Sequence, residues 1–298
     1  MRAFITGNRG FIGSHLQEYL LGKGWEVIGV DNLLHPCQKE TSFIYGDVRY
    51  YQDIEKFVEK SDVVFHLAAQ INVDKSIVNV GETIDINIGG TVNVLEACKK
   101  FKKKLVFASS SEVYGSSQME FMDEMHVLDA QSPYAASKVA GDRLCKAYYD
   151  TYGLDVAILR NFNTFGDYQS DDSYGGVIAK FTKAALLNET LHIFGDGKQA
   201  RDYISVKDAI RAYEFCAMNP TAGEVYNVGS GKTITINELA DLIIKLTKSK
   251  SNIIHEEPRP GEVRRLCADM GKIKKLGFSL EGDFEKDLSE YVKNKQVL

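Results

Sequence analysis

Short apolar runs alternate with amphipathic stretches along the first half of the chain. The runs fall at Arg2–Thr6, in the segment that ends at Asp31, and at residues 62–67, 105–108 and 154–159. Each has the length of a strand buried on both faces of a sheet. Residues 42–45 read as a further short strand after a polar loop at 32–41. The stretches between carry helical spacing. One runs from the glycines near residue 10 to about Lys23. Another covers residues 52–60, with Ile54, Phe57 and Val58 on one face. A long one covers 82–100, with Ile84, Ile88, Val92, Leu95 and Cys98 recurring. The last of these opens at Ser132-Pro133, a start signal for a helix, and reaches about Thr151. Strand, helix and strand repeated with crossovers predict an α/β fold built on a doubly wound parallel sheet.

The pattern changes at about Gly166. Segments become shorter and mixed, with turns at 171–173, 195–197 and 229–231. Helices are expected at 177–188, Val206–Met218, 236–245 and near the C-terminus. This predicts two domains, residues 1–165 and a smaller α/β domain at 166–298, interleaved with the first.

Composition adds exclusions. The chain has 298 residues, a net charge of −5 and 26% charged residues, with no long basic stripe. Nucleic-acid binding by phosphate neutralisation is therefore not expected. The lysines at 99, 100 and 102–104 fall where a helix ends and complement its dipole. Five scattered cysteines show neither metal spacing nor a disulfide framework. No metal site is expected. No leader and no apolar stretch of about 18 residues is read, so the expectation is a cytoplasmic protein without a membrane partner.

The N-terminal strand opens onto Gly7-Asn8-Arg9-Gly10-Phe11-Ile12-Gly13, spaced G-x-x-G-x-x-G. A helix follows, and the next strand closes on Asp31. In that context the glycines read as a dinucleotide site on a Rossmann sheet. Gly7 permits the turn, Gly10 lets backbone approach a pyrophosphate, and Gly13 lets the helix pack close. The helix N-terminus presents N–H groups to the phosphates. Asp31 would accept the adenosine ribose hydroxyls and repel a 2′-phosphate, which predicts NAD rather than NADP. Ala68 and Ala69, small residues after a buried strand, allow close approach of a ligand. His66 reads as a satisfied, half-buried histidine.

A second chemistry lies at residues 109–115, where a buried strand ends in Ser109-Ser110-Ser111-Glu112. Open α/β sheets bind ligands at such ends. Tyr134 and Lys138 are four apart and share a helix face. A phenol has a pKa near 10, and an ammonium beside it favours the phenolate. Such a tyrosine can take a hydroxyl proton while hydride leaves the same carbon. Ser110 could hydrogen-bond the same oxygen.

Together, Gly7–Gly13, Asp31, His66-Leu67-Ala68-Ala69, Ser109–Gly115 and Tyr134-Ala135-Ala136-Ser137-Lys138 resemble the extended short-chain dehydrogenase/reductases. More narrowly, they resemble the nucleotide-sugar epimerases and dehydratases. Leu159–Asn163, Gly195–Gly197, Arg201–Tyr203 and Arg259–Glu262 fit the same pattern, so the resemblance spans nearly the whole chain. It implies that Tyr134 is the base, that Lys138 binds the nicotinamide ribose and lowers the tyrosine pKa, and that Ser110 binds the sugar 4-hydroxyl. It places Asp47 and Val48 by the adenine and Asn87 in support of the cofactor. Phe11, Ile12, Asn32, Leu67, Ala68 and Ala69 complete that implied NAD site. Ser111, Asn163, Val177, Arg201 and Arg259 are implied on the nucleotide-sugar side. Two guanidinium groups suit a diphosphate. The implied ligand is a nucleotide-diphosphate sugar, UDP-linked in the first instance. The implied assembly is a homodimer through helices 82–100 and 132–151.

Three reactions share removal of the 4-hydroxyl proton and hydride. The 4-epimerase is preferred, for its match in 171–178 and 195–203. The alternatives are a 4,6-dehydratase using Glu112 and a glucuronate decarboxylase. In both, the position of Ser110 usually holds Thr, and one dehydratase group has Asp where this chain has Ser111. A non-catalytic dinucleotide-binding module ranks last, because Tyr134 and Lys138 are both present.

Overall fold

The apolar runs assemble into one sheet because each is too short to be buried except against its neighbours. In the computed structural model, which describes residues 1–34, 37, 41–116, 119–171, 176–258 and 263–297, these strands are β1 (Arg2–Thr6), β2 (Glu26–Asp31), β3 (Ile44–Tyr45), β4 (Val63–His66), β5 (Lys104–Ser110), β6 (Val156–Asn161) and β7 (Glu224–Val228). They lie in the order β7–β6–β5–β4–β1–β2–β3. From β6 to β3 every pair is parallel. The strand order reverses at β1 beside β4, the place where a doubly wound sheet opens a crevice at its carboxyl edge.

The helices of this unit are α1 (Phe11–Gly22), α2 (Tyr51–Lys60), α3 (Val73–Val78), α4 (Val80–Ile84), α5 (Gly90–Phe101) and α6 (Pro133–Tyr152). Phe4, Val64, Leu105, Phe107 and Ile158 of the sheet pack with Val94, Leu95 and Cys145 of the helices. Ser132 caps α6 by accepting the Ala135 N–H at 3.1 Å, with proline at the first position. The single helix expected at 82–100 is interrupted. A π turn, Asp85–Gly89, separates α4 from α5. Apolar spacing cannot reveal one residue inserted per turn, and such turns gather at functional sites.

The chain divides into two compact units that interleave. The first holds residues 1–113, 128–161 and 210–226; the second holds 114–127, 162–209 and 227–298. The boundary expected near residue 165 thus falls at Asn161. The first unit also takes back most of the helix Val206–Met218 and the start of β7. Two hydrogen bonds explain the return. The Gly223 N–H donates to the Val156 carbonyl at 2.7 Å, and the Phe162 N–H to that of Val228 at 2.8 Å, so β7 runs parallel beside β6.

The second unit is built on the strand Ala200–Ser205. Asn163–Phe165 and Arg265–Leu266 pair parallel to it, and Thr233–Thr235 pairs antiparallel. Its core joins Phe165, Ile178, Phe181, Leu239, Ile243 and Leu288. Among the described residues, no helix is long and apolar enough to cross a membrane, and no group of three or more His, Cys, Asp or Glu could hold a metal ion. All five cysteines are buried free thiols.

Candidate active site

The glycine turn links β1 to α1 under tight geometric limits. Gly7 has φ +75°, and a Cβ built there would lie 2.7 Å from the Ala68 nitrogen. A Cβ on Gly13 would lie 2.2 Å from the Gly7 carbonyl oxygen, so α1 packs directly on the turn. Gly10 is the N-cap of α1 and offers no side-chain oxygen to the first-turn N–H groups, and that turn holds no acidic residue. Phe11 and Ile12 open the helix, with N–H groups that have no partner within it. The donor set and the backbone cradle fit an anion such as a pyrophosphate.

Asp31 ends β2, and its carboxylate is held by the turn itself. The Arg9 N–H donates to Oδ2 at 3.0 Å and the Leu33 N–H to Oδ1 at 2.7 Å. Two acceptor oxygens retain capacity for further donors. Asn32 donates to Asp47 Oδ2 at 2.9 Å, and Arg49 reaches the same carboxylate at 2.6 Å. Burial works to raise the Asp47 pKa, but the Arg49 and Asn32 hydrogen bonds outweigh it and hold the carboxyl below its ordinary value. Val48 is buried against Gly90, where a Cβ would come within 2.6 Å of its Cγ2.

At the end of β4 the chain passes through Leu67, Ala68 and Ala69. The Leu67 N–H donates to the Thr6 carbonyl at 3.2 Å and the Ala68 N–H to Thr6 Oγ1 at 3.3 Å. Asn87, in the π turn, grips Gln70 by both backbone atoms, accepting its N–H at 2.7 Å and donating to its carbonyl at 2.9 Å. His66 is fully buried at 1% exposure, not half-buried as expected, because β4 lies in the middle of the sheet.

Tyr134, Lys138 and Ser110 converge where β5 ends beside α6, and all are at most 9% exposed. Ser110 lies close enough to the Tyr134 phenol to favour its ionised form and accepts the Glu112 N–H at 3.2 Å. Ser111 is buried next to it and opens the short turn that carries Glu112. Burial pushes the Tyr134 phenol up to about 12; Ser110 works against the rise, and the Glu112 carboxylate adds to it. The lysine-driven depression expected from the sequence is therefore corrected. Lys138 turns its ammonium to the Ala108 carbonyl, at 2.9 Å. Desolvation brings Lys138 itself down to about 8, although Asp142, one turn along α6, favours its charge. Asp142 is paired in turn with Arg160 at 2.7 Å, both side chains nearly fully buried. Nothing in the local sequence marks that pair except Asp142 standing four residues beyond Lys138.

A depressed lysine has a stability consequence. Between about 8 and the ordinary 10.5 the folded chain binds fewer protons at Lys138 than the unfolded chain does. Stability must then rise with pH in that window. Urea unfolding of the NAD-stripped protein at pH 7 and pH 9 should show wild type gaining roughly 1 kcal/mol more than Lys138→Met. Equal gains would remove the assignment.

In the second unit, Asn163 donates to the Asp202 carbonyl at 3.3 Å. Arg201 is half-buried, with Nη1 on the Ala200 carbonyl at 3.0 Å. Its neighbour Asp202 lies on the other face of the strand, as alternation requires. That carboxylate is fully buried and accepts Ser230 and Gly231 N–H groups at 2.7 and 2.9 Å and that of Ala268 at 3.0 Å. Val177 is the first residue of its helix, after Gly176 as N-cap. Arg259 lies outside the described residues.

Residues 3–229 match the model of the NAD-dependent epimerase/dehydratase family. A putative UDP-glucose 4-epimerase of Methanocaldococcus jannaschii is 38% identical, over 97% of this chain and 96% of its own length. A UDP-N-acetyl-alpha-D-glucosaminuronate decarboxylase of Bacillus cytotoxicus is 36% identical, over 98% of this chain and 96% of its own. The crystal structure of UDP-glucose 4-epimerase from Thermotoga maritima, solved with UDP-glucose, superposes with a TM-score of 0.96. It covers 100% of both chains at 32% identity.

Proposed function

The chain belongs to the NAD-dependent epimerase/dehydratase family, and from that premise we propose that it is a 4-epimerase of nucleotide-diphosphate sugars, UDP-linked in the first instance. The observation that carries this reading is the buried Tyr134–Ser110 pair at the end of β5, with Lys138 one turn along the same helix. The UDP-glucose 4-epimerases among the relatives and solved structures support the substrate class.

Gly7, Gly10 and Gly13 with the N–H groups of Phe11 and Ile12 would hold the pyrophosphate of NAD. Asp31 would take the adenosine ribose and Lys138 the nicotinamide ribose. When bound, NAD supplies the acceptor and later the donor of one hydride at C4 of the sugar. Ser110 orients the 4-oxygen. Tyr134, as phenolate, takes the 4-hydroxyl proton as that carbon becomes a ketone, and returns it once the sugar has presented its other face. Ser110 is the neighbour that favours that phenolate in the buried site. Asn163, Arg201 and Arg259 are assigned to the diphosphate, with Val177 beside them.

Glu112 supports a second reading. Its charge is felt at the Tyr134 phenol, and a carboxylate there could remove a C5 proton. A panel of nucleotide hexoses and hexuronates turned over in deuterated water separates the classes. Inversion at C4 without deuterium is expected. Deuterium at C5 would mean a dehydratase, and carbon dioxide release a decarboxylase.

A further inference from the structure

Among the buried groups that the mechanism does not use is an imidazole. His66 sits at the end of β4 with both ring nitrogens engaged. Nδ1 is 2.7 Å from Thr6 Oγ1 and Nε2 is 3.0 Å from Thr91 Oγ1. Neither hydroxyl is free to choose its direction. The Thr91 hydroxyl donates to the Asn87 carbonyl at 2.6 Å, so its oxygen accepts from His66 Nε2–H. Nδ1 is then the acceptor for the Thr6 hydroxyl, whose oxygen receives the Ala68 N–H at 3.3 Å. The network therefore fixes a neutral imidazole with its proton on Nε2. Burial acts in the same sense, taking the imidazolium down to about 3, with Lys138 adding to the effect.

The run continues beyond the ring. Asn87 Nδ2 donates to Ser137 Oγ at 2.8 Å, and the Ser137 hydroxyl donates to the Tyr134 carbonyl at 2.7 Å. One continuous set of bonds thus joins the Ala68 backbone, facing the glycine turn, to the backbone of Tyr134. Thr6, His66, Asn87, Thr91 and Ser137 are each at most 3% exposed. Polar groups so buried are stabilising only when every partner is in place.

We infer that His66 is a positioning residue: as the Nε2–H tautomer it couples the Ala68–Gln70 stretch of the cofactor side to the helix turn that carries Tyr134. At 1% exposure it presents no surface to a ligand. The inference rests on the proposed role of Tyr134, but its first two measurements do not depend on which reaction is catalysed.

The tautomer is read by long-range 1H–15N NMR on the 15N-histidine-labelled wild-type protein, with His66→Gln assigning the signal. A protonated Nε2 and a bare Nδ1, unchanged from pH 6 to 9, are expected. An Nδ1–H form or an imidazolium overturns the inference. NAD binding to the stripped chain, followed by calorimetry, should weaken about tenfold in His66→Leu, which removes both ring contacts. In His66→Gln, which keeps one donor and one acceptor, it should stay within about threefold. Equal affinities in wild type and His66→Leu overturn the coupling to the cofactor side.

In turnover, His66→Leu should lower kcat ten- to a hundredfold with KM within twofold, the scale set by small misplacements of reacting groups. His66→Gln should recover most of the loss. Should His66→Leu not fold, Ser137→Ala removes only the two bonds at the Tyr134 end of the run, from Asn87 and to the Tyr134 carbonyl. It should lower kcat about tenfold and leave NAD affinity within twofold, and an unchanged kcat overturns the coupling to Tyr134. If no sugar nucleotide is turned over by wild type, the epimerase reading fails, while the tautomer and the NAD affinities still decide this inference.

Discussion

Tyr134→Phe is expected to leave a folded protein that retains NAD and has lost between two and four orders of magnitude in kcat, the range set by removal of a positioned proton-transfer group. The loss corresponds to about 3–5 kcal/mol of transition-state stabilisation. The substitution keeps the ring that fills this 9% exposed position. It removes only the phenol oxygen and its interaction with Ser110. Ser110 keeps the Glu112 N–H as a donor, so the change in folding stability should stay within about 1 kcal/mol. KM for the sugar nucleotide should move little, because the diphosphate contacts are assigned to the second unit. Steady-state rates, chemical denaturation and the absorbance of released nucleotide check the three statements separately. Activity within tenfold of wild type would show that another group takes the proton, and would restore the non-catalytic alternative if wild type itself were inert.

The second large effect is at the glycine turn, where two substitutions of the same kind should act in opposite directions. Gly7→Ala forces an L side chain to φ +75° and drives its Cβ to 2.7 Å from the Ala68 nitrogen and 2.8 Å from its Cα. The left-handed conformation costs about 1–2 kcal/mol, and the backbone overlap costs about 1–3 kcal/mol more. The relief must come from moving Ala68, which is part of the proposed NAD site, so the purified protein should carry less than a tenth of the wild-type NAD. Gly22→Ala, at the end of the same helix, meets no atom within 4 Å. It should raise stability by about 0.5 kcal/mol and leave NAD content unchanged. Differential scanning calorimetry with nucleotide analysis of both variants tests the pair. Equal NAD content in Gly7→Ala and Gly22→Ala would show that the turn does not hold the cofactor.

How far the chain could be read from its residues follows from how local each constraint is. The glycine turn was legible because backbone crowding leaves only one residue type at Gly7 and Gly13, and the constraint is written at the position that feels it. The strand–helix alternation was legible for the same reason, since burial on two faces demands continuous apolar runs. Tyr134 and Lys138 could be placed on one helix face from spacing alone. Their charge states could not, because they depend on burial and on the Ala108 carbonyl, which lies 30 residues away in sequence. Arg201 and Asp202 adjoin in sequence, yet strand alternation sends Asp202 inward to three backbone N–H groups. The π turn was hidden because an amphipathic pattern tolerates one extra residue. The return of β7 was hidden because nothing in the five residues Glu224–Val228 says which sheet they join.

That return has a consequence for dissecting the molecule. A fragment ending at residue 165 would contain the glycine turn and the Tyr134 helix but would lack residues 210–226. β6, interior in the seven-stranded sheet, would then present a bare row of N–H and C=O groups over Val156–Asn161, an adhesive rim open to any other extended chain. The first unit is thus not a severable module. The complete sheet of the first unit depends on a segment synthesised some fifty residues after the rest of it, so a nascent chain must hold that rim uncovered until β7 emerges.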